Sequence, residues 1–349
     1  MAQKTYRYLC LWGWLVLLLQ GCSGGAYLLP SAIGSPYEVL VVADEAILKG
    51  EVGQSIRDVL NFPIPRLPQN EPYFTISQTS FDKFNDLLKP VRNIVMVEVD
   101  QEIKSPQLSY SKDLWANGQV VLRIKAPDKI QLKESIDQNK WRIIHFLNKA
   151  ERERQIAWLK KNTDQIANDR LYEQMNVLLT LPDDLGKIKQ GDNFFWTSNG
   201  AYKRRTDYVV YAVPYNSVSQ LDPENLIVLR DSVMKANIPG GPEGSYMTTH
   251  KKVLPPIARI VNLNNAYCVE MRGLWEMEGD IMGGPFISLS QVDELNQRLI
   301  TAEAFVYAPE MEKADLVRKM EAVLYTLKVP QKMNLEEITV EVDSIQQIN

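Results

Sequence analysis

Histidine is almost absent from this chain, which has two among its 349 residues. Neither His145 nor His250 has a second histidine three to five positions away, so a histidine-based zinc site is not expected. The common catalytic signatures are missing as well: there is no Gly-x-Ser-x-Gly elbow, no phosphate-binding P-loop and no Gly-x-Gly-x-x-Gly turn. We therefore expect no bound metal and no cofactor, and nothing in the sequence is diagnostic of an enzyme.

Neither sign of charge dominates the composition. Lys and Arg number 39 and Asp and Glu 43, a formal net charge of −4. This balance lacks the strong positive charge with which proteins neutralise nucleic-acid phosphates or anionic membrane surfaces, so nucleic acid is not an expected partner. At 45% hydrophobic residues, the composition is that of a globular protein, and the length leaves room for two domains.

Long hydrophobic runs are missing too, and the one apolar stretch near the N-terminus is short. Leu9–Leu19 is preceded by Lys4 and Arg7, and its eleven residues cannot cross a bilayer core, which needs about 20. A basic flank, a short apolar core and a small residue before the cleavage point are the parts of a secretory signal. We predict that residues 1–21 are removed, which leaves 37 basic and 43 acidic residues.

A cysteine follows the predicted cleavage point. The sequence Leu19-Gln20-Gly21-Cys22 resembles the bacterial lipobox, with matches at Leu19, Gly21 and Cys22, whereas Gln20 is less usual there. The resemblance implies cleavage before Cys22 and acylation of the chain at this residue, with palmitate among the acyl groups. The protein would then be a lipoprotein anchored to a membrane, and residues 22–36, with their Gly, Ser and Pro, would form a flexible tether.

Cysteine is otherwise too rare for a disulfide. If Cys10 leaves with the signal and Cys22 is acylated, Cys268 is alone in the mature chain. Its neighbours Val269 and Met271 fit a packed strand, and no His or Lys adjoins it to lower its pKa. We predict a buried, unreactive thiol that packs as a small hydrophobic side chain.

Hydrophobic periodicity divides the mature chain into three parts. In residues 37–127, strands predicted at 37–43, 93–99 and 119–125 alternate with helices predicted at 51–60 and from Ser80 to Leu88. This alternation indicates an N-terminal α/β subdomain. Residues 128–174 form a helical segment without Gly or Pro. It begins with the capping pattern Asp128 to Gln131, and at about 1.5 Å per residue it is too long for one helix, so a break is expected near 162–164.

Residues 175–330 are predicted to form a C-terminal α+β subdomain, followed by a tail at 331–349. Its predicted strands are 175–181, 194–197, 207–213, 258–261, 266–272 and 299–307, and its predicted helices are 223–236 and 310–327. The fold class is therefore α+β, with antiparallel or mixed sheets covered by helices, in two subdomains joined by a long helical segment.

Several segments resemble those of a known group of proteins. Together with the lipobox, the stretches Met271–Phe286 (MRGLWEMEGDIMGGPF), Ala304–Pro309, Glu321–Leu327 and Leu67–Pro72 resemble an uncharacterised domain-of-unknown-function lipoprotein family of Bacteroidetes. The resemblance covers most of residues 20–330. It implies a lipoprotein of the cell envelope with no assigned activity, and it supplies no catalytic residues.

The residues after the cysteine predict the orientation of the anchored protein. No acidic residue occurs between Cys22 and Glu38, whereas surface-exported lipoproteins of the resembled group tend to carry acidic residues directly after the cysteine. We therefore expect a lipid-anchored protein in the cell envelope, on the outer membrane and facing the periplasm.

One segment concentrates side chains suited to recognition: Arg272, Trp275, Glu276, Glu278 and Asp280. In a strand, the three carboxylates share one face because the side-chain period is two. Crowded carboxylates raise one another's pKa, so a metal or acid–base site is one interpretation. A solvated outer face of a sheet is another, and one strand supplies too few ligands for a closed calcium cage. We predict that these five residues border a recognition surface.

Two glycine loops and one basic cluster are further candidates for a recognition surface. Pro239–Pro242 and Met282–Pro285 each contain Gly-Gly-Pro, which indicates turns and the best place to look for a recognition surface. Lys203–Arg205, flanked by Tyr202 and Tyr208, either holds an anion such as a glycan carboxylate or decorates a turn.

Three functions are compatible with this sequence. The first is a lipid-anchored module that binds or scaffolds, with an envelope protein or a glycan as its partner. The second is a carboxylate-based hydrolase of envelope polymers that uses Glu276, Glu278 and Asp280. The third is a structural subunit of an envelope complex, with its contacts through residues 128–172. The first is the function we expect.

Overall fold

The computed structural model describes residues 28–330. The predicted signal, Cys22, the first part of the tether and the tail at 331–349 lie outside the described residues. Within 28–330 the chain forms seven α-helices and thirteen strands, which build one mixed five-stranded sheet and one antiparallel eight-stranded sheet. The predicted α+β class is confirmed. No helix in the described part is long and apolar enough to span a bilayer.

The first sheet has the strand order β2-β1-β3-β5-β4, with β4 antiparallel and the others parallel. Its strands are β1 (Glu38–Ala43), β2 (Thr75–Thr79), β3 (Asn93–Val99), β4 (Gln107–Lys112) and β5 (Val120–Ala126). The apolar runs of β1, β3 and β5 predicted these strands, because a parallel strand is buried on both faces. Two short helices follow β1, namely α1 (Glu45–Leu48) and α2 (Glu51–Leu60).

The predicted helix from Ser80 to Leu88 is wrong. Only a 3₁₀ turn, Phe81–Lys83, forms there, and Phe84 already has an extended backbone. The side chain of Asn85 accepts a hydrogen bond from the backbone N–H of Leu87 at 3.0 Å, a local turn that competes with a helix. Phe81, Phe84 and Leu88 still pack on the first sheet, but they do so from an irregular loop.

The helical segment is broken twice. It contains α3 (Lys129–Gln138), α4 (Lys140–Leu159) and α5 (Gln165–Met175). Asp128 caps α3 as predicted, since its carboxylate accepts from the backbone N–H of Gln131 at 2.8 Å. The break expected near 162–164 is confirmed, and Asp164 caps α5. The second break, at Asn139, was not predicted.

The second sheet has the order β10-β11-β12-β13-β8-β7-β6, and β9 pairs with the free end of β11. Its strands are β6 (Lys187–Gly191), β7 (Phe194–Ser198), β8 (Arg205–Pro214), β9 (Tyr246–His250), β10 (Ile257–Leu263), β11 (Ala266–Glu278), β12 (Gly283–Asp293) and β13 (Arg298–Tyr307). The strand predicted at 175–181 is wrong, because α5 continues to Met175 and Asn176 takes a left-handed conformation with φ 52°.

Each face of the second sheet is covered by a different helix. The helix α7 (Ala314–Leu324) packs on one face, in the same core as the first sheet, and α6 (Pro223–Asn237) packs on the other. Side chains alternate between these faces along every strand. We call them the α7 face and the α6 face. The helix α6 covers only part of its face, and the remainder borders a cleft.

The two halves of the chain are joined by a shared helix cap. The carboxylate of Glu71, which is buried, accepts hydrogen bonds from the backbone N–H groups of Lys313 and Ala314 at 2.7–2.9 Å, at the start of α7. Arg318 in α7 donates to the carbonyl of Pro72 at 3.0 Å. The Leu67–Pro72 segment therefore has a structural role. The predicted subdomain boundaries remain a prediction.

Candidate functional site

A cleft with two connected chambers lies on the α6 face, beyond the C-terminal end of α6. The outer chamber has a volume of about 630 Å³ and the inner chamber about 290 Å³. The chambers adjoin each other, because four residues line both: Trp196, Arg205, Met282 and Tyr307. These volumes are in or near the range of small-molecule sites, about 300–1,000 Å³.

The outer chamber combines aromatic rings with lysines. In the β6–β7 pair, Lys189 lies opposite Trp196 and Lys187 opposite Ser198, so their side chains share the α6 face. The Lys189 ammonium is 5.9 Å, and the Arg205 guanidinium 5.7 Å, from the Trp196 ring centroid. Cations at this distance are attracted to the ring face. Two positive charges therefore lie close to the indole ring.

The wall between the chambers is fixed by a buried carboxylate. Asp207 accepts a hydrogen bond from the Trp196 indole N–H at 2.9 Å and a bidentate contact from Arg205, with both atom pairs at 2.9 Å. Burial raises the pKa of Asp207, and Arg205 opposes that shift. The charge of Arg205 is thus matched by a buried carboxylate, and the same carboxylate orients the indole.

Lys187 and Lys189 carry the unmatched positive charge of the cleft. Both side chains are exposed, and no carboxylate of residues 28–330 lies within salt-bridge distance of either. The Lys189 ammonium donates to the backbone carbonyl of Asn237 at 2.7 Å. Since a carbonyl carries no net charge, the outer chamber has a positive field that suits an anionic ligand.

The inner chamber is apolar. It is lined by Ile238, Met247, Trp275, Met277 and Phe305, together with the first Gly-Gly-Pro loop. The Trp275 ring meets Phe305 edge to face, with centroids 5.5 Å apart. Its indole N–H donates to the carbonyl of Val306 at 3.1 Å, so the polar atom of this ring is already satisfied.

The turn predicted at Met282–Pro285 is wrong, because Gly283 and Gly284 begin strand β12, where they allow the strands beside this chamber to approach closely. A Cβ at Gly284 would lie 2.0 Å from the carbonyl oxygen of Val306, a distance no side chain tolerates. Across the rim, the backbone N–H of Gly241 donates to the Asp280 carboxylate at 3.3 Å. The two Gly-Gly-Pro segments, which the sequence indicated as the place of a recognition surface, thus meet at the cleft.

The five residues predicted to border one surface do not do so. Trp275 is 2% exposed and lies on the α6 face, whereas Arg272, Glu276 and Glu278 have the opposite parity in β11 and project from the α7 face. Asp280 lies in the turn after the strand. The physical reason is that β11 is an interior strand, covered on both faces rather than on one.

Arg272 belongs to a buried network of charges. Its guanidinium contacts Glu270 at 2.8 Å and Glu321 at 2.8 Å, and Glu321 also contacts Arg152 at 2.7 Å. Although burial opposes ionisation, Arg272 and Arg259 hold the pKa of Glu270 below its usual range. Arg272 is therefore a structural residue between β11 and α7, not part of an exposed surface.

The remaining carboxylates are spread apart. The Glu276 carboxylate lies 2.7 Å from Nδ1 of His250, Glu278 is exposed at the end of β11, and Asp280 is bonded to Gly241. Within 28–330 no group of three His, Cys, Asp or Glu side chains is arranged to hold a metal ion.

The basic cluster and the lone thiol have different outcomes. Of Lys203–Arg205, only Arg205 lines the cleft, while Tyr202 lines its outer chamber and Tyr208 is buried in the core. Cys268 is buried, as predicted, and burial together with the nearby Glu270 raises the pKa of its thiol to about 12. Its low reactivity stays a prediction.

Sequence reasoning missed most of the cleft. Four lining residues were not predicted as site residues: Trp196, Lys187, Lys189 and Tyr307. One signal existed: Lys187 and Lys189 alternate with the apolar Ile188 just before the aromatic run at 194–196, a pattern typical of an edge hairpin with one polar face.

Two family models match the amino-acid sequence of the chain, one after the other. A model described as a domain of unknown function (DUF8532) matches residues 32–160, and a second described as a domain of unknown function (DUF4837) matches residues 163–326. Both are uncharacterised. The boundary between the matches falls in the turn between α4 and α5. The predicted resemblance to a domain-of-unknown-function family is supported, and the matches indicate no specific activity.

Similarity to proteins of known structure is weak. A mutant of the protein Mog1 is 7% identical with a TM-score of 0.29, over 44% of this chain and 90% of that chain. A crystal structure from Bacteroides thetaiotaomicron is 14% identical with a TM-score of 0.24, over 47% of this chain and 52% of that chain. No curated protein matches the chain.

Proposed function

We propose that this protein is a lipid-anchored binding protein of the cell envelope and that the two-chamber cleft is its ligand site. The observation that carries the proposal is that the side chains of the cleft wall are held by a buried carboxylate, whereas the lysines at its rim have no carboxylate partner in the described residues. Asp207 fixes Trp196 and Arg205 from inside the protein, while Lys187 and Lys189 at the rim have no carboxylate partner within the described residues. A fixed wall with charges at the rim that lack a carboxylate partner is typical of a preorganised binding site.

The alternatives receive less support from the geometry. Glycoside hydrolysis needs two carboxyl groups that face each other across the substrate. Glu276 and Glu278 project from the face opposite the cleft. A structural subunit with its contacts through residues 128–172 would show an exposed apolar stripe there. The two exposed tryptophans of α4, Trp141 and Trp158, are 17 positions apart, which turns them about 100° from each other.

A binding assay with a defined probe tests the proposal. The dye 8-anilinonaphthalene-1-sulfonate has one negative charge and a flat apolar body, so we expect it to bind the cleft. Trp196→Ala should weaken its affinity at least tenfold, because buried aromatic anchors dominate such sites. Trp158→Ala is the matched control, since this tryptophan is exposed on α4. Equal dye affinity in wild type and Trp196→Ala, with both folded, would remove the cleft as the site.

The anchor is tested separately. Several acyl chains hold a bacterial-type lipoprotein, whereas the polypeptide itself has no spanning helix within 28–330. Cys22→Ala should therefore release the protein almost completely from membranes. Membrane fractionation with a salt wash measures this, and a Cys22→Ala protein that still sediments with membranes would contradict the lipoprotein proposal.

The proposed orientation has its own measurement. With no acidic residue between Cys22 and Glu38, we expect the protein to face the periplasm from the outer membrane. Protease added to intact cells should leave it whole, and the same protease should digest it once the outer membrane is permeabilised. Rapid cleavage in intact cells would show that it faces outward.

A further inference from the structure

The two buried polar side chains of the inner chamber, Trp275 and Asp207, already have hydrogen-bond partners. The Trp275 indole N–H is bonded to Val306, the Asp207 carboxylate to Trp196 and Arg205. A saccharide placed there would bury hydroxyl groups without partners, at a cost of about 1–3 kcal/mol each. The occupant of the inner chamber must therefore be mostly apolar.

The apolar wall is adaptable as well as hydrophobic. Three methionines line the inner chamber, Met247, Met277 and Met282. Methionine is unbranched and polarizable, so it moulds to irregular or flexible apolar bodies. A wall of this kind suits an alkyl chain or a fused-ring body better than a ligand that needs directed hydrogen bonds.

The outer chamber sets the other end of the ligand. Lys187 and Lys189 are flexible point charges without carboxylate partners in the described part of the chain. Between them and the apolar chamber lie Trp196 and Tyr307, which line both chambers. A ligand that fills the cleft therefore passes over aromatic rings from an apolar end to a cationic end.

We infer that the cleft takes an anionic amphiphile, with its apolar body in the inner chamber and its acidic head group at Lys187 and Lys189. The inference rests on the proposed function and adds the chemical class of the ligand. The chamber volumes of about 630 and 290 Å³ match a single-chain molecule rather than a two-chain lipid. A fatty-acid carboxylate and the phosphate of a single-chain lipid share this chemistry.

Calorimetry with twelve-carbon probes below their micelle concentration tests the inference, using unacylated mature chain (Cys22→Ala) so that neither detergent nor the protein's own lipid competes. Laurate and dodecyl phosphate should each bind at least tenfold more tightly than dodecyltrimethylammonium, and the tighter of the two identifies the head group. Equal affinity for anion and cation, or tighter binding of trigalacturonate, would overturn the inference.

Charge reversal locates the head group. Lys187→Glu combined with Lys189→Glu should lower laurate affinity at least tenfold, whereas Lys160→Glu combined with Lys161→Glu, which changes the net charge equally at an exposed turn, should leave it nearly unchanged. An equal effect of both pairs would overturn the inference. If the dye binds in a Trp196-dependent way but neither anionic probe displaces it, the proposed function stands and this inference falls.

Discussion

Arg272→Ala should lower the free energy of unfolding by about 3–5 kcal/mol, because removal of one member of a buried charge network leaves the others uncompensated. Arg272 bridges Glu270 and Glu321, and all three side chains are at least nine-tenths buried. Urea denaturation at pH 7 measures the loss. Arg259→Ala is the matched control with a smaller expected effect, since Arg259 is partly exposed and Glu270 keeps its contact with Arg272. Equal stability of wild type and Arg272→Ala would contradict the network.

The same network gives stability a direction with pH. The folded pKa of Glu270 is lowered from the ordinary value of 4.5. Its contribution is therefore complete above that ordinary value and is lost as pH falls through it toward the folded pKa. Wild type should lose stability as the pH drops below about 5, and Arg272→Ala should show a weaker dependence over this range. A steeper acid loss in the variant would contradict this assignment.

Trp275→Ala should destabilise the fold by about 3–5 kcal/mol, as truncation of a large buried aromatic residue does. The Trp275 ring packs against Phe305 and Tyr307, and its N–H is bonded to Val306. Differential scanning calorimetry should show a clear fall in melting temperature. From the sequence we predicted instead that Trp275 borders a recognition surface.

The control for Trp275 is another tryptophan. Trp158→Ala removes an indole that is 58% exposed, so it should change the free energy of unfolding by no more than about 0.5 kcal/mol. Trp275→Phe should recover part of the packing but leave the carbonyl of Val306 without this donor. If the Trp275→Ala protein were as stable as the Trp158→Ala protein, the buried position of Trp275 would be contradicted.

Regular local patterns allowed much of the fold to be predicted. Glu51–Leu60 is a helix with the predicted bounds, because it buries one periodic set of apolar residues. Asn93–Val99 is a strand with the predicted bounds, because it is a short apolar run buried on both faces. Asp128 was predicted as a cap because its partner lies three residues away. Signals that act within one or two turns of chain are readable without the tertiary structure.

The errors arose where distant segments decide the outcome. The strand β12 was missed because Ser288, Ser290 and Gln291 look like a loop, yet in the fold they are buried, and Ser290 bonds to Thr301 in β13 at 2.8 Å. The cleft is lined by segments that are far apart in the chain, such as Trp196 and Met282, which are separated by 86 positions. Without the strand order, no local pattern shows that these segments meet.

The buried carboxylate of Glu71 makes the two family segments depend on each other structurally, which has a consequence for their evolution. The family match that ends at residue 160 contributes this carboxylate, and the match that begins at 163 contributes the helix it caps. A gene that inherited the second segment alone would encode a helix whose first N–H groups lack their buried partner. Shuffling of these domains into other proteins is thereby disfavoured, and we expect the two families to occur side by side, in this order, wherever either is found in this form.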